Sequence, residues 1–170
     1  MKHRKLGTFG ITMKNIELRV QVEKFLFDYA DCLNEKRYGD FPSFFQEDNC
    51  HYEVQSKENE DLGLTTPIMG CYSHGMIRDR VAQLVDNTLT YRRLNLRHFI
   101  SNIRIDEDKT GINLKANFQV MQSDLEGVSE LYLVGRYEDK LVLNHNELKL
   151  ISKRAILDSF SVPNMLAVPI

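Results

Sequence analysis

Apolar and polar positions recur with a helical period between residues 18 and 33 and alternate with a period of two from residue 99 onward. That change of period organises the chain. Leu18, Val22, Phe25, Leu26, Tyr29 and Leu33 fall at i, i+4, i+7, i+8, i+11 and i+15. They form one apolar stripe, with Glu17, Arg19, Gln21, Glu23, Lys24, Asp28 and Asp31 largely off it. The spacing predicts a first helix from Asn15, with Asn15 as N-cap and Glu17 near the positive end of the helix dipole. Residues 1–14 show no period and read as an N-terminal arm, which leaves residues 15–170 as a single domain.

Gly39 and Pro42 punctuate, and Phe41, Phe44 and Phe45 predict a short aromatic-rich helix or turn. Residues 49–56 read as a first strand, residues 57–61 as a charged loop and residues 63–70 as an irregular stretch around Pro67. A second helix is expected from about residue 75 to 86, with Ser73 near its start and Ile77, Val81, Leu84 and Val85 on its buried face.

After the polar, basic segment 87–97 the strands begin. The first covers residues 99–106. In the second, Ile112, Leu114, Ala116, Phe118 and Val120 alternate with Asn113, Lys115, Asn117 and Gln119. Turns at residues 107–111, 124–127 and 144–146 separate these from strands at 128–140 and 148–158. Long strands joined by short turns predict an antiparallel meander. Helices first and strands afterwards make an α+β layout. A sheet with one polar face should curl around the N-terminal helices as a cone, enclosing a pocket or a packed core.

Composition narrows the function classes. The formal charge of −2 gives no electrostatic case for nucleic acid or an anionic membrane. No apolar run approaches the ~20 residues that span a bilayer. The basic start, Met1 to Lys5, is followed by a stretch broken at Gly7, Thr8 and Gly10, which lacks the apolar region of a secretory signal. Cys32, Cys50 and Cys71 are odd in number and widely spaced, as expected for reduced thiols in a cytoplasmic protein.

Candidate chemistry is sparse. Cys50 and His51 are adjacent, and no Cys-x-His with a later Cys-x-x-His occurs, so a Rieske cluster is not encoded. Zinc-protease, dinucleotide, phosphate-loop and nucleophile-elbow motifs are missing from the sequence too. No metal and no cofactor is therefore expected in this chain. One catalytic alternative is a pocket acid–base pair of a stand-alone dehydratase or isomerase. His51 and Glu53 share a strand face, His98 opens a strand, and Tyr29 and Asp31 lie on the first helix. A histidine beside a carboxylate can act as a general base. The competing reading makes His51 and His98 hydrogen-bonded structural or interface groups. Arg92, Arg93 and Arg97 could likewise bind an anion or form salt bridges across a subunit interface.

Several segments together resemble one family. Arg97-His98-Phe99-Ile100-Ser101-Asn102-Ile103 resembles the "Arg…His-x-Ile-Ser-Asn-Val" stretch of β subunits of aromatic-ring-hydroxylating dioxygenases. Residues 135–139 (Gly-Arg-Tyr-Glu-Asp) resemble that family's penultimate strand, and residues 153–158 (Lys-Arg-Ala-Ile-Leu-Asp) its closing strand. Phe44-Phe45, the stretch from Asp48 to Tyr52 and the stretch from Met76 to Val81 fall in family order. The tail 165–170 is most similar to small subunits of terephthalate- and salicylate-type hydroxylases, which implies an aromatic carboxylate as substrate. Segment 57–70 departs from the longer, aromatic-rich loop of biphenyl-type subunits.

The resemblance implies the cone-like fold shared with scytalone dehydratase and nuclear transport factor two. It also implies an α3β3 hexamer whose α subunit carries a Rieske [2Fe–2S] cluster and a mononuclear iron, reduced from NADH through a reductase and, in some systems, a ferredoxin. No catalytic residue carries over onto this chain, whose implied task is to bury surface against α and neighbouring β chains.

Overall fold

The computed structural model describes residues 13–86, 95–162 and 166–170. The expected arm therefore lies almost wholly outside the described residues, as do Arg92, Arg93 and Met165. Helix α1 spans Met13–Asn34. Asn15, the expected cap, lies within the helix rather than at its N-cap position. The stripe is oriented as its spacing requires: Val22, Leu26, Tyr29 and Leu33 are buried, with Leu18 and Phe25 partly so. A 3-10 segment, Tyr38–Phe44, follows and packs Phe41, tilted, and Phe44, edge-on, against Tyr29 at centroid distances of 5.7 and 5.5 Å.

Strand β1 is His51–Ser56. The charged loop expected after it is a short helix, α2, Lys57–Asp61, capped by Ser56 Oγ, which accepts the Asn59 N–H at 3.2 Å. Strand β2, Met69–Cys71, was hidden in the irregular stretch because three residues carry no readable period. Helix α3, His74–Asp86, is capped by Ser73 Oγ, which accepts the Met76 N–H at 3.2 Å. Its buried face is narrower than expected: Ile77 and Val81 are buried, while Val85 is 60% exposed. The helix packs mainly on the 3-10 segment and β2.

Four long strands complete the fold: β3 Asn95–Asp108, β4 Gly111–Ser123, β5 Ser129–Asn144 and β6 Glu147–Leu157. They pair antiparallel in chain order, as the turn spacing predicts. The full order is β2-β1-β6-β5-β4-β3. The expected sheet was antiparallel throughout, but β1 lies parallel to β6, so the sheet is mixed at that one ladder. Nothing in the local pattern distinguishes the two directions, because this pairing joins segments about a hundred residues apart. Register shifts in the ladders of β3, β4, β5 and β6 add curvature. The sheet bends around α1, and the core lies between them. This is the expected α+β class.

The pairing sets two rows side by side. Lys115, Glu138, Arg154 and Glu53 are successive partners across β4, β5, β6 and β1. One residue away, Leu114, Asp139, Lys153 and Tyr52 are partners in the same order. Successive side chains point to opposite faces, so the first row lies on the convex, wetter face and the second inside the cone. At Gly135 a Cβ would stand 2.1 Å from the Ile156 carbonyl oxygen, so β5 and β6 approach there only because the residue is glycine.

Candidate functional site: the interior of the cone

Inside the cone, Lys153 Nζ donates to Asp139 Oδ2 at 3.0 Å, and both side chains are 1% exposed. The ammonium also stands 3.4 Å from the centroid of the Tyr137 ring and 4.4 Å from that of Tyr29. Tyr137 in turn stacks on Phe118 at 4.3 Å, with 16° between the ring planes. Burial drives the Asp139 carboxyl up and the Lys153 ammonium down from their ordinary values, and the attraction between them opposes both shifts. Burial likewise raises the phenols of Tyr29, Tyr52 and Tyr137, which stay protonated at neutral pH.

The tail closes over this cluster. Arg80 Nη2, on α3, donates to the carbonyls of Leu166 and Ala167 at 2.6 and 3.3 Å. At the far end, Tyr29 Oη donates to the Ile170 carbonyl at 2.7 Å, and the Ile170 N–H donates to Tyr52 Oη at 2.9 Å. Ile170 itself is buried. Residues 166–170 thus tie α3, α1 and β1 together.

The histidine–carboxylate candidates are not brought together. His98 lies inside, 6% exposed, with Nδ1 2.9 Å from Asn34 Oδ1. The same oxygen accepts the His98 backbone N–H at 2.9 Å. An amide oxygen is an acceptor, so Nδ1 carries the proton. Burial, with the Lys153 charge adding to it, lowers His98 to about 4 and keeps the ring neutral. His51 is on the opposite, convex face, its Nε2 2.8 Å from Ser152 Oγ. Glu53, on the same face, is bonded to Arg154 at 2.5 Å. Asp31 is exposed on the surface of α1. Arg97 is also exposed.

Sequence reasoning passed over Asp139 and Lys153. The signal existed: Asp139 sits between Tyr137 and Leu141, Lys153 is followed at the same parity by Ala155 and Leu157, and all four neighbours are buried. A charge at an inward-facing position in each of two paired strands points to a partner across the ladder. Among the described residues no group of three or more His, Cys, Asp or Glu side chains could hold a metal ion, and no helix is long and apolar enough to cross a membrane. Cys32, Cys50 and Cys71 are free and buried, and burial raises all three thiols, Cys32 to about 11.

The small subunit of anthranilate 1,2-dioxygenase from Burkholderia cepacia is 36% identical over 143 residues, covering 84% of this chain and 88% of the relative. The terminal oxygenase component subunit beta 2 of terephthalate 1,2-dioxygenase from a Comamonas species is 29% identical over 152 residues, covering 89% and 97%. Among solved structures, a protein assigned as the beta subunit of an aromatic-ring-hydroxylating dioxygenase from Novosphingobium aromaticivorans superposes with a TM-score of 0.80 at 29% identity, covering 91% of this chain and 99% of that one. A protein assigned as a scytalone dehydratase from the same organism shares the fold alone, with a TM-score of 0.68 at 20% identity, covering 94% and 96%. The family model described as "Ring hydroxylating beta subunit" matches residues 29–164, a span that holds the Asp139–Lys153 pair, the three tyrosines around it and all of β1 to β6. The chain belongs to the ring-hydroxylating dioxygenase β-subunit family.

Proposed function

We propose that this chain is the non-catalytic small subunit of a Rieske non-haem iron oxygenase, and that its contribution to the reaction is shape. In this reading it assembles with a catalytic α subunit as α3β3. The α subunit holds the [2Fe–2S] cluster and the mononuclear iron and receives electrons from NADH through a reductase, with or without a ferredoxin. The observation that carries the reading is the family match across residues 29–164 together with an interior closed by the chain's own tail. Exposed apolar side chains on the two strands that flank β4, Phe99 on β3 and Leu131 and Val134 on β5, add surface of the kind that subunit contacts cover. The relatives named for anthranilate and terephthalate dioxygenases support an aromatic carboxylate as substrate of the assembly. Three free, buried thiols suit a cytoplasmic complex.

Co-expression with a neighbouring large-subunit reading frame tests this. The two chains are expected to co-purify, with iron and activity present only when the large subunit is included. Turnover of an aromatic acid by this chain alone would overturn the reading. It would favour a dehydratase or isomerase working through His51, His98 or Asp31, which would have to reach one substrate from two faces of the sheet and the outside of α1.

A further inference from the structure

The interior cluster contains two polar atoms that the protein itself does not satisfy. Tyr137 Oη and Asp139 Oδ1 are fully buried and have no hydrogen-bond partner among the described residues. They lie two residues apart on β5, on the inward face. Neither can readily turn towards the other. The Tyr137 ring is fixed between Phe118 and the Lys153 ammonium, and the Asp139 carboxylate is anchored through Oδ2 to that same ammonium. The Arg154 backbone N–H hydrogen-bonds the Asp139 carboxyl and lowers it, yet Oδ1 itself has no partner among the described residues. The other two tyrosines of the cluster are already committed to the Ile170 main chain.

The two atoms are complementary in kind. A protonated phenol offers a donor and needs an acceptor; a carboxylate oxygen offers an acceptor and needs a donor. One group that supplies both is a hydroxyl. Leaving both atoms dry in a low-dielectric interior is costly, and buried polar groups left over by the protein are commonly paired through internal water. Tyr137 and Asp139 are shut off from bulk solvent, at 0% and 5% exposed.

We propose that the cone interior binds one water molecule as a permanent part of the fold, accepting from Tyr137 Oη and donating to Asp139 Oδ1. This water completes the coordination of the Asp139–Lys153 pair and lets Asp139 remain ionised beneath the tail. The site is a structural water site rather than a substrate pocket.

A crystal structure of the full chain at a resolution that orders solvent tests the proposal. A peak within hydrogen-bond distance of both atoms is expected, together with one long-lived internal water in solution by water-proton or oxygen-17 relaxation dispersion. In Tyr137→Phe the peak should lose at least half of its occupancy, and the relaxation amplitude should fall by the share of one water. Asp139→Asn, which keeps the shape, provides a second reading, since an amide can turn its NH2 group towards the water and exchange donor for acceptor there. A direct Tyr137–Asp139 hydrogen bond in the crystal, or a relaxation amplitude unchanged in Tyr137→Phe, overturns the proposal.

Discussion

Two ion pairs link β5 to β6 one residue apart, and they live in different media. Glu138 and Arg154 face outward, where Arg154 also reaches Glu53 and Glu60, and Glu138 also meets Lys115 and Arg136. Asp139 and Lys153 face inward and, among the described residues, meet each other, two aromatic rings and the backbone. The chemistry is the same acid–base pairing on the same two strands. The outward pair exchanges one hydrated state for another, so its net worth is small. The inward pair has lost its hydration altogether, and its mutual attraction chiefly offsets that loss. A pair of this kind is a poor source of stability but a strong constraint on register, because a one-residue slip of β6 would bury Arg154 or Ser152 opposite Asp139.

Predictions follow from that contrast in order of size. Removing one inward partner leaves an uncompensated buried charge: Asp139→Ala or Lys153→Ala should each cost about 3–5 kcal/mol in urea unfolding. Replacing both, as Asp139→Leu with Lys153→Met, should cost far less than the sum of the single changes. A strictly additive double-mutant cycle would break the comparison.

Next comes pH. The neutral His98 ring has a folded value of about 4 against 6.5 for the ordinary group. Between these values the unfolded chain binds the extra proton, so stability is full above about pH 6.5 and is lost as pH falls towards 4. At 1.36 kcal/mol per unit the loss is about 3 kcal/mol. His98→Gln should flatten that part of the pH–stability curve, measured by denaturation midpoints.

Tyr29→Phe removes only the donor to the Ile170 carbonyl. It should cost about 1–2 kcal/mol and speed amide exchange in residues 166–170. The smallest effect belongs to the outward network. Arg154→Ala or Glu138→Ala should cost about 1 kcal/mol or less, with an effect that shrinks in high salt, whereas the effect of Lys153→Ala should hardly respond to salt.

The reach of the sequence follows from how local each feature is. The stripe on α1, the alternation in β4 and the turn at residues 144–146, where His145 and Asn146 take φ of 47° and 68°, are properties of neighbouring residues and are readable directly. Val85 was misjudged and β2 missed for the converse reason: exposure of the former depends on what packs beside it, and the latter is too short to show a period. Asp139 and Lys153 stand in two of the segments that carry the family resemblance, yet their pairing depends on a ladder formed between strands.

By itself, the sequence determined the order of the long helices and strands, the curved α+β class and membership of a small-subunit family, since these follow from periodicity and from residues in fixed order. Only the tertiary structure decided that β1 runs parallel to β6, that His51 and His98 fall on opposite faces, and that the tail seals a buried lysine–aspartate pair. Those outcomes rest on long-range pairing and on the loss of water from particular side chains, and neither is written in any local pattern.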